Sequence, residues 1–281
     1  MTSTRPAAVA GTFYPAGAVE LRALLDDCFD RNPLGPLGAP EPEPAMIAGL
    51  VPHAGPIYSG PCAAHLYNRL DPVTERVIVL GVNHRGRGHK AALSPWPRWQ
   101  NPLGETTVDD RVNLELLDRV RFLGRDATAH ANEHSIEIQL PFLQRVLRKF
   151  EFVPISLAHL SVEECAELGV ALAKICQDQT AAGRKTILLA SSDLSHYLSP
   201  AETETLDRLA LDQVLDVNPE ELLHVVEENN ITMCGALPAA VMLFAVRELG
   251  ARHARLLKHC HSGDVAPMQN VVGYASVAIE L

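Results

Sequence analysis

No CxxC pair occurs among the six cysteines of this chain (Cys28, Cys62, Cys165, Cys176, Cys234 and Cys260), and their spacing is not that of a disulfide framework. In a chain of 281 residues they read as reduced thiols, mostly buried. No uninterrupted apolar stretch is long enough to span a bilayer. The opening Met1-Thr2-Ser3-Thr4-Arg5-Pro6 lacks the apolar core of a signal peptide, so the expectation is a cytoplasmic location without membrane contact. Basic residues are outnumbered, 24 Lys and Arg against 34 Asp and Glu, for a formal charge of −10 and a pI near 5.6. A general nucleic-acid binder needs a basic face to replace counterions, which argues against that class. Also missing are a GxSxG nucleophile elbow, a GxxxxGKS/T phosphate loop and a GxGxxG fingerprint after a strand. No repeat of solenoid length recurs.

What is present is an ordinary soluble composition, 47% apolar and 21% charged, with ample core. The spacing predicts an amphipathic helix over 18–31, and Pro33 to Pro44 is a Pro- and Gly-rich loop. Strand-like runs occupy 45–51, 76–81, 152–158, 186–192 and 271–279. Helical patterns occupy 60–70, 109–121, 135–149, 162–177, 202–217, 219–229 and 236–249. The order strand–helix–strand from 45 to 81 predicts a right-handed βαβ unit with parallel pairing of its two strands. From Ala91 to Thr107 the pattern breaks down, and Trp96 and Trp99 there cap the core or line a substrate mouth. The alternation as a whole predicts one layered α/β domain over 1–281.

Three strand ends carry the chemistry. The run 45–51 stops at Pro52 and delivers His53; the run 76–81 delivers His84; the run 186–190 ends in Ser191-Ser192-Asp193-Leu194-Ser195-His196. Ligands of open α/β sheets bind beyond the carboxyl ends of the strands. Two imidazoles on neighbouring strand ends suit a first-row metal if a third donor joins them. That donor comes from Asp193 with His196, or from Cys234 at the turn opening the 236–249 helix, where a helix N-terminus lowers a thiol's pKa. Cys234 reads equally well as a small buried hydrophobe.

Other constellations are weaker. His130-Ala131-Asn132-Glu133-His134 matches the HxxEH string of inverted zinc peptidases, but Asn132 reads as a helix cap that leaves His130 outside. His259-Cys260-His261 resembles a metal tract in which only the two histidines share a face. Ser191, Asp193 and His196 contain the residue types of a hydrolase triad.

Several blocks, in order along the chain, resemble the Memo family. They are Arg5-Pro6-Ala7-Ala8-Val9-Ala10-Gly11-Thr12-Phe13-Tyr14-Pro15, Val51-Pro52-His53-Ala54-Gly55-Pro56-Ile57-Tyr58-Ser59-Gly60 and Leu80-Gly81-Val82-Asn83-His84. Glu133-His134-Ser135-Ile136-Glu137, Ser191 to His196, Met233-Cys234-Gly235 and Gly273-Tyr274-Ala275-Ser276 complete the set. The resemblance is to microbial members of the AmmeMemoRadiSam type. It implies a single three-layer α/β/α domain with a largely parallel or mixed sheet, similar to class III (LigB-type) extradiol dioxygenases. It further implies a metal pocket of His53, His84 and Cys234, with Asp193 and His196 beside it as catalytic residues, and radical-SAM and AMMECR-type protein partners. Pro56 departs from the family pattern, which carries an aromatic there. The extradiol enzymes hold Fe(II) with two histidines and a carboxylate, whereas a thiolate favours Cu(I), Zn or a different iron chemistry. The implied cofactor is iron or copper, with zinc a possible occupant of purified protein. The implied function is a metal-dependent oxidoreductase of a small molecule; extradiol cleavage and a non-enzymatic peptide-binding module are the alternatives.

Overall fold

Four strands with almost no exposed residue form the middle of the sheet: Met46–Val51, Arg76–Val82, Glu151–Leu157 and Thr186–Ser191. Each is close to continuously apolar, as a strand covered on both faces must be. In the computed structural model, which describes residues 3–281, they run parallel. Met1 and Thr2, at the head of the N-terminal segment considered above, lie outside the described residues. The spatial order is Glu151–Leu157, Arg76–Val82, Thr186–Ser191, Met46–Val51.

This order corrects one expectation. Met46–Val51 and Arg76–Val82 are parallel, but they do not pair, because Thr186–Ser191 lies between them and bonds to both. Apolar pattern and a connecting helix determine strand direction; adjacency is decided by which strand best fills the gap, here one from over a hundred residues later. The consequence is functional. The His53 and His84 loops are flanked, not adjoined, and the Ser191–Asp193 strand end emerges between them.

Beyond Met46–Val51 the sheet turns antiparallel through Val271–Glu280 and Ala254–His261. On the other side, Gly104–Val108 pairs parallel with Glu151–Leu157, followed by Arg98–Asn101 and Thr4–Arg5. Ala91–Leu93, Arg98–Asn101 and Gly104–Val108 therefore give regular structure to the stretch whose sequence pattern is broken. Trp96 and Trp99 there are buried, the latter with its indole N–H on Ser94 Oγ (2.9 Å).

Helices cover both faces. Ala18–Asp30, Pro56–Tyr67 and Gln139–Val146 pack on one. Asp110–Arg119, Val162–Ala181, Pro200–Leu215, Pro219–Glu228 and Ala236–Leu249 pack on the other. The result is the three-layer α/β/α arrangement. Ser161 and Ser199 close capping boxes with Glu164 and Glu202. Val162–Ala181 and Ala236–Leu249 approach through Gly169, where a Cβ would lie 2.5 Å from that of Phe244. Pro56 occupies the first position of its helix, where its missing N–H costs nothing, so the helix starts earlier than residue 60. Gln139–Val146 is shorter than the predicted 135–149 because residues 135–138 form the turn that builds the site. No helix among the described residues is long and apolar enough to cross a membrane.

Candidate metal centre

His53 follows Met46–Val51, His84 follows Arg76–Val82, and both lie at the carboxyl end of the parallel strands. A third imidazole joins them. His134 lies in the turn preceding Gln139–Val146, and one ring nitrogen from each of His53, His84 and His134 lies within 4.8 Å of the others. The rings of His84 and His134 stack with centroids 4.7 Å apart at 12°. His53 stands edge-on to both, at 5.2 and 5.4 Å. His53 is fully buried and His84 is open to solvent. These three histidines can hold a metal ion.

The surrounding hydrogen bonds decide which nitrogens are free. Ser191 Oγ lies 2.7 Å from the Ser135 carbonyl, which has no proton to give, so the hydroxyl proton goes there. The same oxygen accepts from Gln139 Nε2 (2.7 Å), and Tyr67 OH bonds the other end of that amide. His53 Nδ1, 2.9 Å from Ser191 Oγ, must then be the donor, which leaves Nε2 with a lone pair. His84 Nδ1 similarly donates to the Glu133 carboxylate (2.9 Å). Glu133 also accepts the backbone N–H groups of His84, His134 and Ser135, and its Oε1 lies 3.3 Å from His134 Nδ1. Carboxylate–imidazole pairs of this kind orient metal-binding histidines.

His53 and His134 are neutral. Burial, then the neighbouring His84, holds His53 down at about 3, and burial holds His134 at about 4. Burial alone would raise Glu133, but the hydrogen bond and charge of His84 and the Ser135 N–H outweigh it and bring the carboxyl to about 2. The centre thus has an ionised outer carboxylate in Glu133 and uncharged donors in His53 and His134, the protonation state a metal requires.

The N-terminal block clamps this turn. Arg5 is buried over the Trp99 ring (4.0 Å) and donates to the carbonyls of His130 and Glu133 and to Glu137. Glu137 in turn accepts Tyr14 OH and the N–H groups of Ala8 and Val9. Phe13 is thereby set against His134, with ring centroids 4.6 Å apart.

Cys234 Sγ lies 3.3 Å from His53 Nε2, so the residue adjoins the histidine group. Its loop sits tightly on the strand end: a Cβ at Gly235 would lie 2.5 Å from the Ser191 carbonyl. The expected lowering of its pKa is corrected. Burial, reinforced by Asp193, pushes the Cys234 thiol up, because desolvation of a thiolate exceeds what one helix N-terminus offers. Asp193 accepts the backbone N–H groups of His53 (2.7 Å) and Ala54 (3.1 Å) through one oxygen, and burial raises its pKa. His196 donates from Nδ1 to the Thr232 carbonyl (2.9 Å), two residues before Cys234. The next residue, Tyr197, is exposed and held in left-handed backbone (φ 61°).

The remaining constellations separate. Ser191 is committed to Ser135, Gln139 and His53, so no triad forms with His196. His130 lies inside the short helix Thr128–Ala131, with Asn132 at its C-cap, which corrects the reading of Asn132 as a cap that leaves His130 outside. Its Nε2 bonds the Ala92 carbonyl, away from His134. His259 pairs with the buried Asp207 (2.9 Å), and the His261 N–H bonds Asp264. Sequence reasoning left His134 out of the ligand set. The signal was its place directly after Glu133 within a family-like block, an acid poised to orient an imidazole.

A cavity of ≈ 350 Å³ opens beside the centre, walled by His84, Cys234, His159, Leu157, Leu237 and Pro238. A larger one, ≈ 550 Å³, lies at the opposite end of the strands around Arg76 and Asp109, and none of the histidines lines it.

A family model described as Memo-like protein matches residues 5–278. The chain belongs to the Memo family. It is 39% identical over 280 residues to a MEMO1 family protein of Methanopyrus kandleri, covering 97% of this chain and 98% of that one. It is 41% identical over 285 residues to a MEMO1 family protein of Ignicoccus hospitalis, covering 99% of each. A Memo relative from Methanocaldococcus jannaschii is 38% identical over 292 residues, covering both chains in full. These likenesses span the whole site, from the Arg5 clamp to the Cys234 loop.

Proposed function

We propose that this Memo protein is a metal-dependent oxidoreductase that acts on a small molecule. The observation that carries the reading is the group of three imidazoles, oriented by Glu133 and Ser191, at the edge of a cavity within the range of small-molecule sites. His53 and His84 are the common ligands in this reading, and His134 or Cys234 supplies the third donor. Nitrogen and sulfur donors without a free carboxylate favour iron, copper or zinc over magnesium or calcium. Iron or copper is the proposed native metal, because it would supply one-electron redox chemistry when bound. Glu133 fixes the rings, Asp193 holds the His53-Ala54 backbone, and His196, with Nδ1 committed to Thr232, offers Nε2 to a substrate proton. Extradiol-type coordination is less well supported. Asp193 already accepts two backbone N–H groups, and the oxygens of Glu133 face His84, His134 and Ser135. Radical-SAM and AMMECR-type proteins are the proposed partners, and the cytoplasm the proposed compartment, both on the sequence resemblance and expectations given above.

Elemental analysis after anaerobic purification and metal reconstitution tests the centre. The expected result is one metal ion per chain in the native protein and none in His53→Ala or His84→Ala. Comparing His134→Ala with Cys234→Ser under reducing conditions then identifies the third donor by which variant weakens binding more. Metal content unchanged in folded His53→Ala and His84→Ala removes the centre. Oxygen uptake with a catechol panel separates extradiol cleavage from other oxidations.

A further inference from the structure

The loop that delivers His84 also carries two arginines. Asn83-His84-Arg85-Gly86-Arg87-Gly88 folds back through Gly86 and Gly88, both in left-handed backbone (φ 58° and 76°), where glycine has no Cβ to clash. The Gly86 N–H on the Asn83 carbonyl (3.0 Å) and the Asn83 amide on the Arg87 carbonyl (2.7 Å) close the turn. The arginines are therefore held in register with His84.

Arg85 lines the ≈ 350 Å³ cavity that holds His84 and Cys234. It also lines an adjoining cavity of ≈ 260 Å³, together with Arg87, Trp96, Thr128 and Asn132. Neither arginine has an acidic partner among the described residues. By contrast Arg5, Arg76, Arg145, Arg247 and Arg255 each hold a carboxylate. Glu133, the carboxylate on this wall, has its oxygens occupied by His84, His134 and Ser135. Two uncommitted guanidinium groups thus face cavities of a chain whose net charge is −10.

We propose that Arg85, supported by Arg87, is the anion-recognition element of this cavity, and that the molecule taken beside His84 and Cys234 carries a carboxylate or a phosphate. A guanidinium presents a planar fork of N–H donors that matches both groups. The apolar wall of Leu157, Leu237 and Pro238 reduces screening of that charge. The inference rests on reading this cavity as the substrate pocket, but not on the metal.

Calorimetric titration of metal-free protein with benzoate, with inorganic phosphate and with benzamide, the uncharged shape match of benzoate, tests the proposal. The expected result is saturable binding of benzoate or phosphate, with benzamide at least about tenfold weaker than benzoate if benzoate is the anion bound. Benzoate binding points to a carboxylate and phosphate binding to a phosphoryl group. Arg85→Ala should weaken the bound anion about 10- to 100-fold, and Arg85→Lys should recover part of the loss. Arg121→Ala, an exposed arginine outside both cavities, should change nothing. Metal uptake measured in parallel keeps the two readings apart. Arg85→Ala that loses the anion while keeping the metal supports both. Anion binding by a protein that takes up no metal refutes the metal centre and leaves the anion site standing. No saturable binding of either anion, equal affinity for benzoate and benzamide without phosphate binding, or unchanged anion affinity in Arg85→Ala overturns the anion site.

Discussion

Replacing Glu133 by Gln keeps the side chain's shape while removing one charge and one acceptor. Every close partner of this carboxylate is a donor. Oε1 receives His84 Nδ1–H (2.9 Å) and the backbone N–H groups of His134 (2.7 Å) and Ser135 (2.9 Å). Oε2 receives the His84 N–H (2.9 Å). A glutamine has one carbonyl oxygen, so its NH₂ must face a donor whichever way the amide is turned. With the oxygen at the Oε1 position, the His84 N–H is orphaned, at a cost of about 1–3 kcal/mol. The charge matters as well. A carboxyl held at about 2 against an ordinary 4.5 contributes about 3 kcal/mol at neutral pH. The two figures describe overlapping contacts, so the expected loss is about 2–4 kcal/mol, which an average domain survives. Urea denaturation of metal-free protein measures it. Because Glu133 orients two of the three imidazoles, metal affinity should also fall about 10- to 100-fold with the stoichiometry unchanged, read by competition with a chromogenic chelator. A folded Gln variant that matches the native protein in stability would refute the donor accounting. One that matches it in metal affinity would show that Glu133 does not organise the centre.

Metal-free protein should lose stability as pH falls from about 6.5 to about 4, because His53, His130 and His134 stay neutral when folded and take up protons on unfolding. Below the ordinary carboxylate range the depressed Glu133 adds to the loss in the same direction. Urea midpoints across this range check it, and a flat profile would count against buried neutral imidazoles. Arg5→Met should destabilise by about 3–5 kcal/mol, because it strands the buried Glu137 carboxylate without its charge partner. The same variant should release the N-terminal segment from the His134 turn, which limited proteolysis would detect as early cleavage before Tyr14.

Much of the architecture was legible from local pattern. The apolar runs around Ile47, Val79, Val153 and Leu188 announce strands buried on both faces, and the helical spacings between them place helices on either side of one sheet. His53 and His84 were legible at the ends of such runs, and the structure brings both into one group with His134. The short strands from Ala91 to Val108 were not. Arg98–Asn101 alternates exposed and buried residues over only four positions and becomes a strand through its neighbours. Cys234 was placed at the right turn, but its acidity was misjudged, because desolvation by the surrounding fold does not show in sequence.

The sequence by itself determined which segments form the central strands and which of their ends carry imidazole. Hydrophobic periodicity is a property of consecutive residues, so it survives without knowledge of the fold. Only the tertiary structure decided that Thr186–Ser191 separates the two histidine strands, that His134 joins His53 and His84, and which ring nitrogens stay free. Those outcomes depend on contacts such as Ser191 with Ser135 and His84 with Glu133, some fifty residues apart in the chain. No local pattern encodes them, because the partner that holds each proton is chosen by packing.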